Sequence, residues 1–145
     1  MKSPRILLVD DDNDIRETMV TLLSMNDYQV TAVADGQSAI EEVNREKYNI
    51  VITDLMMPKM SGIDVIKNLK GIDPELQCIV ITGYATVSTA VDAMKAGAYD
   101  YLMKPFNGSE VLMLLKRVME LHDLQAENSQ LKRNLHHRYG YENLI

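Results

Sequence analysis

The chain of 145 residues is 46% hydrophobic and 25% charged, an ordinary balance for one globular domain with its own core. Its single cysteine excludes an internal disulfide and fits a reducing, cytoplasmic compartment; its net charge of −6 argues against direct nucleic-acid binding by this segment. No apolar run approaches membrane-spanning length, so no membrane association is expected, and the N-terminus has no signal-peptide core.

Taken in order, Arg5 to Val9 is a short apolar run that reads as a buried strand, and it ends on Asp10-Asp11-Asp12. Ile15, Met19, Leu22 and Leu23 fall at helical spacing behind it, with Asp12 or Asn13 as the cap. Tyr28 to Val33 alternates as a strand, Asp35-Gly36 punctuates it, and Ala39, Ile40 and Val43 mark a second helix. Ile50 to Thr53 is another β-branched run, closing on Asp54. Ser61-Gly62-Ile63-Asp64 predicts a capping box, with aspartate in the usual glutamate place, and a helix through Leu69 stopped by Gly71 and Pro74. Cys78 to Thr82 is a fourth strand that ends on a hydroxyl and makes Cys78 a core residue. Val87, Ala90, Val91 and Met94 form a fourth helical face capped by Gly97. Tyr99 to Met103 is a fifth strand leading to Lys104-Pro105, and Asn107 to Glu110 opens a last helix with Val111, Leu114, Leu115 and Val118.

Five alternations of strand and helix with short connections predict an α/β doubly wound parallel sheet, covered by helices on both faces. Right-handed crossovers leave few topologies, and the flavodoxin-like order 2-1-3-4-5 is the expected one. In that order Asp10, Asp11, Asp54, Thr82 and Lys104 end their strands at one edge of the sheet. Taken singly, each has a bland reading: aspartate as turn former or cap, threonine as structure, lysine as surface charge. Together they form a site. Crowded carboxylates repel and raise each other's pKa unless a counter-charge is present, and Mg2+ is the hard cation that suits oxygen donors. Asp54 is then a nucleophile for phosphoryl transfer, with Lys104 and the Thr82 hydroxyl pairing the phosphoryl oxygens.

These same residues carry a resemblance. Leu8-Val9-Asp10-Asp11-Asp12, Asp54-Leu55-Met56-Met57-Pro58 with Gly62, Ile81-Thr82-Gly83 and Lys104-Pro105-Phe106 resemble the CheY-like receiver domain of bacterial two-component response regulators, over roughly residues 4–121. The resemblance implies that Asp54 is phosphorylated by a sensor histidine kinase and that Asp11 is the direct metal ligand, with Asp10 acting largely through water. It implies further that the Met56 carbonyl completes the protein ligands, that Thr82 and Tyr101 form the switch pair, and that Lys104-Pro105 is a cis peptide. Met56 and Tyr84, two residues past the acceptor and the threonine, are expected to hinder the water that hydrolyses the acyl phosphate.

Past this domain (residues 1–121), Leu121, Leu124, Asn128, Leu131 and Leu135 recur at spacings of three and four. That is a short heptad seam with one asparagine at an a-type position, and residues 122–145 are expected to be a helical linker that pairs two chains as a homodimer. An amphipathic helix that forms only in context is the alternative. Adjacent His136 and His137 point to different helix faces and are read as part of a solvated basic helix end rather than a metal site. The apolar final residues look like a truncation, and the tail is similar to the entry into the ATPase domain of NtrC-type, sigma-54-dependent transcription activators. Missing ATPase and DNA-binding output domains are therefore expected. Two other functions on this fold are disfavoured. A magnesium-dependent phosphohydrolase commonly has an acid where Met56 stands, and a flavin carrier needs a phosphate cradle where Asp10, Asp11 and Asp12 repel phosphate.

Overall fold

A computed structural model describes residues 3–83 and 86–121, and Leu124. The elements are β1 (Arg5–Val9), α1 (Asn13–Ser24), β2 (Gln29–Val33), α2 (Gly36–Arg45), β3 (Ile50–Asp54), α3 (Gly62–Ile72), β4 (Gln77–Thr82), α4 (Val87–Ala96) and β5 (Ala98–Met103). A last helix, α5, covers residues 108–121, and Leu124 is also helical. All strands run parallel in the order β2-β1-β3-β4-β5, as the alternation predicts. No described helix is long and apolar enough to cross a membrane.

Strand parity splits the core in two, because successive side chains leave a strand on opposite faces. Leu7, Val9, Val51, Cys78 and Val80 pack under α2, α3 and α4, against Ala39, Val43, Val65, Ile66, Leu69 and Ala93. Ile6, Leu8, Ile50, Ile52, Ile79 and Ile81 pack under α1 and α5, against Met19, Leu23, Val111, Leu114, Leu115 and Val118. The inner strands β1, β3 and β4 are buried on both faces, which is why they read as unbroken apolar runs rather than alternating ones. Cys78 belongs to this core, and burial pushes its thiol up to about 12, so it is no nucleophile.

Local chemistry sets the boundaries. Asp12 is the cap of α1, its carboxylate accepting from the N–H groups of Asp14 and Ile15. Gly97 closes α4 with φ 111°, a left-handed position that glycine takes without strain. Three details differ from the sequence reading. Helix α3 runs through Gly71 to Ile72 and stops at Asp73, because the residue before Pro74 is barred from helical backbone angles. Ser61 does cap α3 by accepting from the Asp64 N–H, but its hydroxyl donates to the Asp64 carboxylate at 3.2 Å. Aspartate is one methylene shorter than glutamate, and the reciprocal arm of the box goes to the side chain. The full capping box lies instead at α4, between Thr86 and Thr89.

Candidate functional site

Strand register brings the polar strand ends together. Val9 pairs with Thr53, Asp54 with Ile81, and Thr82 with Met103, so Asp10, Asp54, Thr82 and Lys104 crowd one edge of the sheet. The ladder extends past the strands: Asp10 N–H donates to the Val33 carbonyl, Leu55 N–H to Ile81, and Lys104 N–H to Thr82. Lys104-Pro105 is cis. Behind Asp54, Gly62 passes so close that an added Cβ would lie 2.3 Å from the Asp54 carbonyl oxygen and 2.9 Å from Leu55 Cα. Neither backbone atom can yield cheaply. Gly62→Ala is expected to destabilise the fold by about 2 kcal/mol and to displace the β3 tip. Thermal melting together with amide NMR shifts of Asp54 and Leu55 checks this, and an unchanged melting temperature would count against so tight a contact.

Asp10 is fully buried and Asp54 nearly so, while Asp11 is exposed. One carboxylate oxygen from each lies within 4.8 Å of the others. Asp10 Oδ1 accepts from the Asp12 N–H at 2.9 Å, and Asp54 Oδ1 from the Met56 N–H at 3.4 Å. Lys104 Nζ stands 3.6 Å from Asp10 Oδ2 and 3.6 Å from Asp54 Oδ2. Burial raises the pKa of both acids above the usual carboxylate range. For Asp54 the charge of Asp10 adds to the rise, and Lys104 and the Met56 N–H oppose it. For Asp10 the Asp12 N–H and Lys104 oppose it. One lysine thus serves two buried carboxylates.

A hard divalent cation fits this donor set. Asp10 Oδ2 is buried and has no hydrogen-bond partner, a costly condition for a carboxylate oxygen, and it belongs to the cluster of three acids. Oxygen donors alone, with net negative charge and no thiolate or imidazole, suit Mg2+.

A family model described as response regulator receiver domain matches residues 6–116. The chain belongs to that family. It is 33% identical over 131 residues to the C4-dicarboxylate transport transcriptional regulatory protein DctD of Rhizobium meliloti, and 38% identical over 115 residues to the response regulator MprA of Mycobacterium leprae. The DctD match covers 90% of this chain and 28% of that protein; the MprA match covers 79% and 50%. This chain therefore spans about 28% of the length of DctD. Among solved structures, NtrX from Brucella abortus in complex with ATP superposes with TM-score 0.84 at 31% identity, covering 90% of this chain and 30% of that one. A CheY-like receiver domain protein from Methanospirillum hungatei superposes with TM-score 0.82 at 28% identity, covering 85% and 98%. The fold is thus the CheY-like, flavodoxin-like one.

In this receiver, Thr82 is buried on the α4 side of the sheet. It shares a narrow cleft with Leu55, Val80, Thr89, Ala90, Ala93 and Tyr101. Tyr101 stands at its rim, 38% exposed. Met56 lies two residues past Asp54 and is 64% exposed. Leu121 is half-buried on α5 and Leu124 exposed, whereas Asn128, Leu131 and Leu135 of the predicted seam and Tyr84 lie outside the described residues. Arg16 escapes the strand-end pattern. Its guanidinium donates to the Asp10 carbonyl at 2.7 Å and to Asn13 Oδ1 at 3.0 Å. A signal was there to be read: a cation in the first turn of a helix opposes the helix dipole and needs another reason to be present.

Proposed function

We propose that this receiver is a phosphorylation switch of a two-component system, with Asp54 as phosphoacceptor and the phosphohistidine of a sensor histidine kinase as donor. The observation that carries the reading is the buried Asp10 Oδ2, which accepts no hydrogen bond among the described residues, set with Asp11, Asp54 and the shared counter-charge of Lys104 at one sheet edge. A carboxylate oxygen of Asp54 attacks phosphorus as the P–N bond to the donor imidazole breaks, and the departing nitrogen takes a proton from water. The product is a mixed anhydride. Lys104 pairs one phosphoryl oxygen as a point charge, and the Thr82 hydroxyl donates to another. Asp10, Asp11, Asp54 and the Met56 carbonyl would hold Mg2+, which supplies charge neutralisation at the phosphoryl oxygens. Thr82 and Tyr101 line one cleft, and this supports their role as the switch pair. The module accepts a group rather than turning over substrate, since Met56 offers no acid to activate water.

Acetyl phosphate with Mg2+ tests the reading. One equivalent of label on Asp54, formed with Mg2+ and not formed when a chelator is present from the start, is the expected result. Label elsewhere sinks it, as do continuous phosphate release and a yellow flavin-loaded protein. Met56 also sets the lifetime. Its exposed side chain flanks the acceptor and shields the anhydride from water, so Met56→Asn should shorten the phosphoryl half-life several-fold. Decay of the label by quantitative mass spectrometry measures this, and an unchanged half-life discards the shielding role.

The whole protein is read as a cytoplasmic, sigma-54-dependent transcription activator of the NtrC type. Residues 1–121 are the receiver, and residues 122–145 link it to ATPase and DNA-binding output domains. The similarity to DctD and NtrX over a little under a third of their lengths supports this. Phosphorylation then switches a homodimer held by the linker seam. Light scattering with and without residues 122–145 tests the pairing, and equal masses would remove it.

A further inference from the structure

The acidic turn after β1 is tied down almost atom by atom. Asp10 N–H donates to the Val33 carbonyl at 3.1 Å, and Asp10 Oδ1 accepts from the Asp12 N–H. The Asp10 carbonyl accepts from Arg16 Nη1 at 2.7 Å. Among the described residues Asp10 Oδ2 has no hydrogen bond, and Lys104 Nζ stands 3.6 Å from it. Arg16 is thus, among the described residues, the one side chain that anchors the Asp10 backbone. Its other arm, Nη2, donates to Asn13 Oδ1 at 3.0 Å, and Asn13 Nδ2 donates to Glu17 Oε1 at 3.3 Å. The guanidinium spans the turn, from the residue at the end of β1 to the first residue of α1.

The helix dipole does not favour a cation here, because Arg16 lies in the first turn of α1. Among the described residues it makes no ion pair; its two hydrogen bonds go to neutral oxygens. It is half-buried, so its placement costs solvation and side-chain entropy too. A planar fork that reaches two acceptors at once is what arginine offers and lysine does not.

We propose that Arg16 is a positioning residue for divalent-cation binding: by clamping the Asp10 carbonyl to the Asn13 side chain it holds the turn in its ligand-ready form. The inference rests on the acidic pocket being a Mg2+ site. The clamp lets Asp10 and Asp11 bind without ordering the turn at that moment, and ordering of this kind is a cost that preorganisation removes. Groups that orient metal ligands from behind are commonly worth tenfold or more in affinity.

Two effects of removing Arg16 have opposite signs, which makes the inference sharp. Loss of a positive charge beside three carboxylates strengthens cation binding. Loss of the clamp weakens it. The test is a Mg2+ titration of the protein, followed by amide NMR shifts, for the parent and for Arg16→Ala, Arg16→Gln and Arg16→Lys, with thermal melts alongside. The expected result is an affinity about tenfold lower in Arg16→Ala, with partial rescue by Gln and by Lys, each of which keeps one donor. Labelling by acetyl phosphate should then need more Mg2+ yet reach the same limiting rate. Tighter binding in Arg16→Ala or Arg16→Gln means that charge dominates and overturns the clamp. Unchanged affinity with a lowered melting temperature means a merely structural role and overturns it as well. If Arg16→Ala does not fold, Gln and Lys carry the comparison. No saturable Mg2+ binding by the parent overturns the pocket reading itself, and the clamp with it.

Discussion

Asp54→Asn is expected to melt higher than the parent at pH 7.5 in metal-free buffer, and to take no phosphoryl group. The stabilisation follows from the site. Asp54 is nearly buried, it faces the buried carboxylate of Asp10, and Lys104 is their shared counter-charge at 3.6 Å from each. Burial first, and Asp10 second, raise the Asp54 pKa. The sign is fixed by linkage: a carboxyl with a raised pKa in the folded state binds protons more tightly folded than unfolded. Its contribution to stability is fully present below the unfolded value and is lost as pH rises through the folded one. Asparagine is neutral at every pH and nearly isosteric, so its advantage is largest at neutral and alkaline pH. It should fade as pH falls toward about 4, where the unfolded carboxyl itself protonates. Removing one of two repelling buried charges is worth on the order of 1 kcal/mol, or roughly 4 °C for a domain of this size. Mg2+ should narrow the gap, because it stabilises the parent by binding the folded state. Thermal melts from pH 4 to pH 8, with and without Mg2+, check this. A parent that melts higher than Asp54→Asn in metal-free buffer at pH 7.5 would show that the carboxylate is a net stabiliser and that the pocket is not electrostatically strained.

How much of this was legible in the sequence depends on the range of the interaction. The strand ends were readable because a doubly buried strand needs an unbroken apolar run, and the polar residue that stops the run must sit at the rim. That placed Asp10, Asp54, Thr82 and Lys104 before any coordinates. Connection length and handedness narrowed the sheet order to a few topologies, of which the flavodoxin-like one was the expected choice. The two-faced core was not legible, since Leu7 and Leu8 look alike until parity assigns one to α2 and α3 and the other to α1 and α5. Contacts that depend on backbone approach were invisible. Gly62 reads as a helix opener, yet the tight constraint is the Asp54 carbonyl behind it. Arg16 carries one sequence signal, a cation in the first turn of a helix, but not its partner, a carbonyl six residues earlier. The caps show the finer limit: the box motif located the start of α3 and the Asn107 to Glu110 stretch that of α5, while the second arm went to a side chain in each. The Ser61 hydroxyl donates to the Asp64 carboxylate, and Asn107 Nδ2 donates to Glu110 Oε1 at 3.0 Å.

Lys104→Met should separate the two tasks of the lysine. Methionine keeps most of the apolar stem and removes the charge. In metal-free buffer the variant should be less stable than the parent, because Asp10 and Asp54 are left buried without a counter-charge. The side chain of Lys104 is 24% exposed, so solvent screens part of the loss, and about 1 to 2 kcal/mol is expected. The deficit should grow with pH, since both acids hold raised pKa values and their ionisation is what the lysine offsets. Saturating Mg2+ should restore most of the stability, because a divalent cation neutralises the same carboxylates. It should not restore the chemistry. The phosphoryl group gathers charge on its equatorial oxygens in the transition state, and a fixed donor aimed there is commonly worth about a hundredfold or more in rate. Labelling by acetyl phosphate at saturating Mg2+ should therefore fall by about that factor, with the melting temperature near that of the parent. Lys104→Arg keeps the charge but spreads it over a wider fork, and an intermediate rate is expected. Labelling of Lys104→Met at the parent's rate under these conditions would leave the lysine as a structural counter-ion and nothing more.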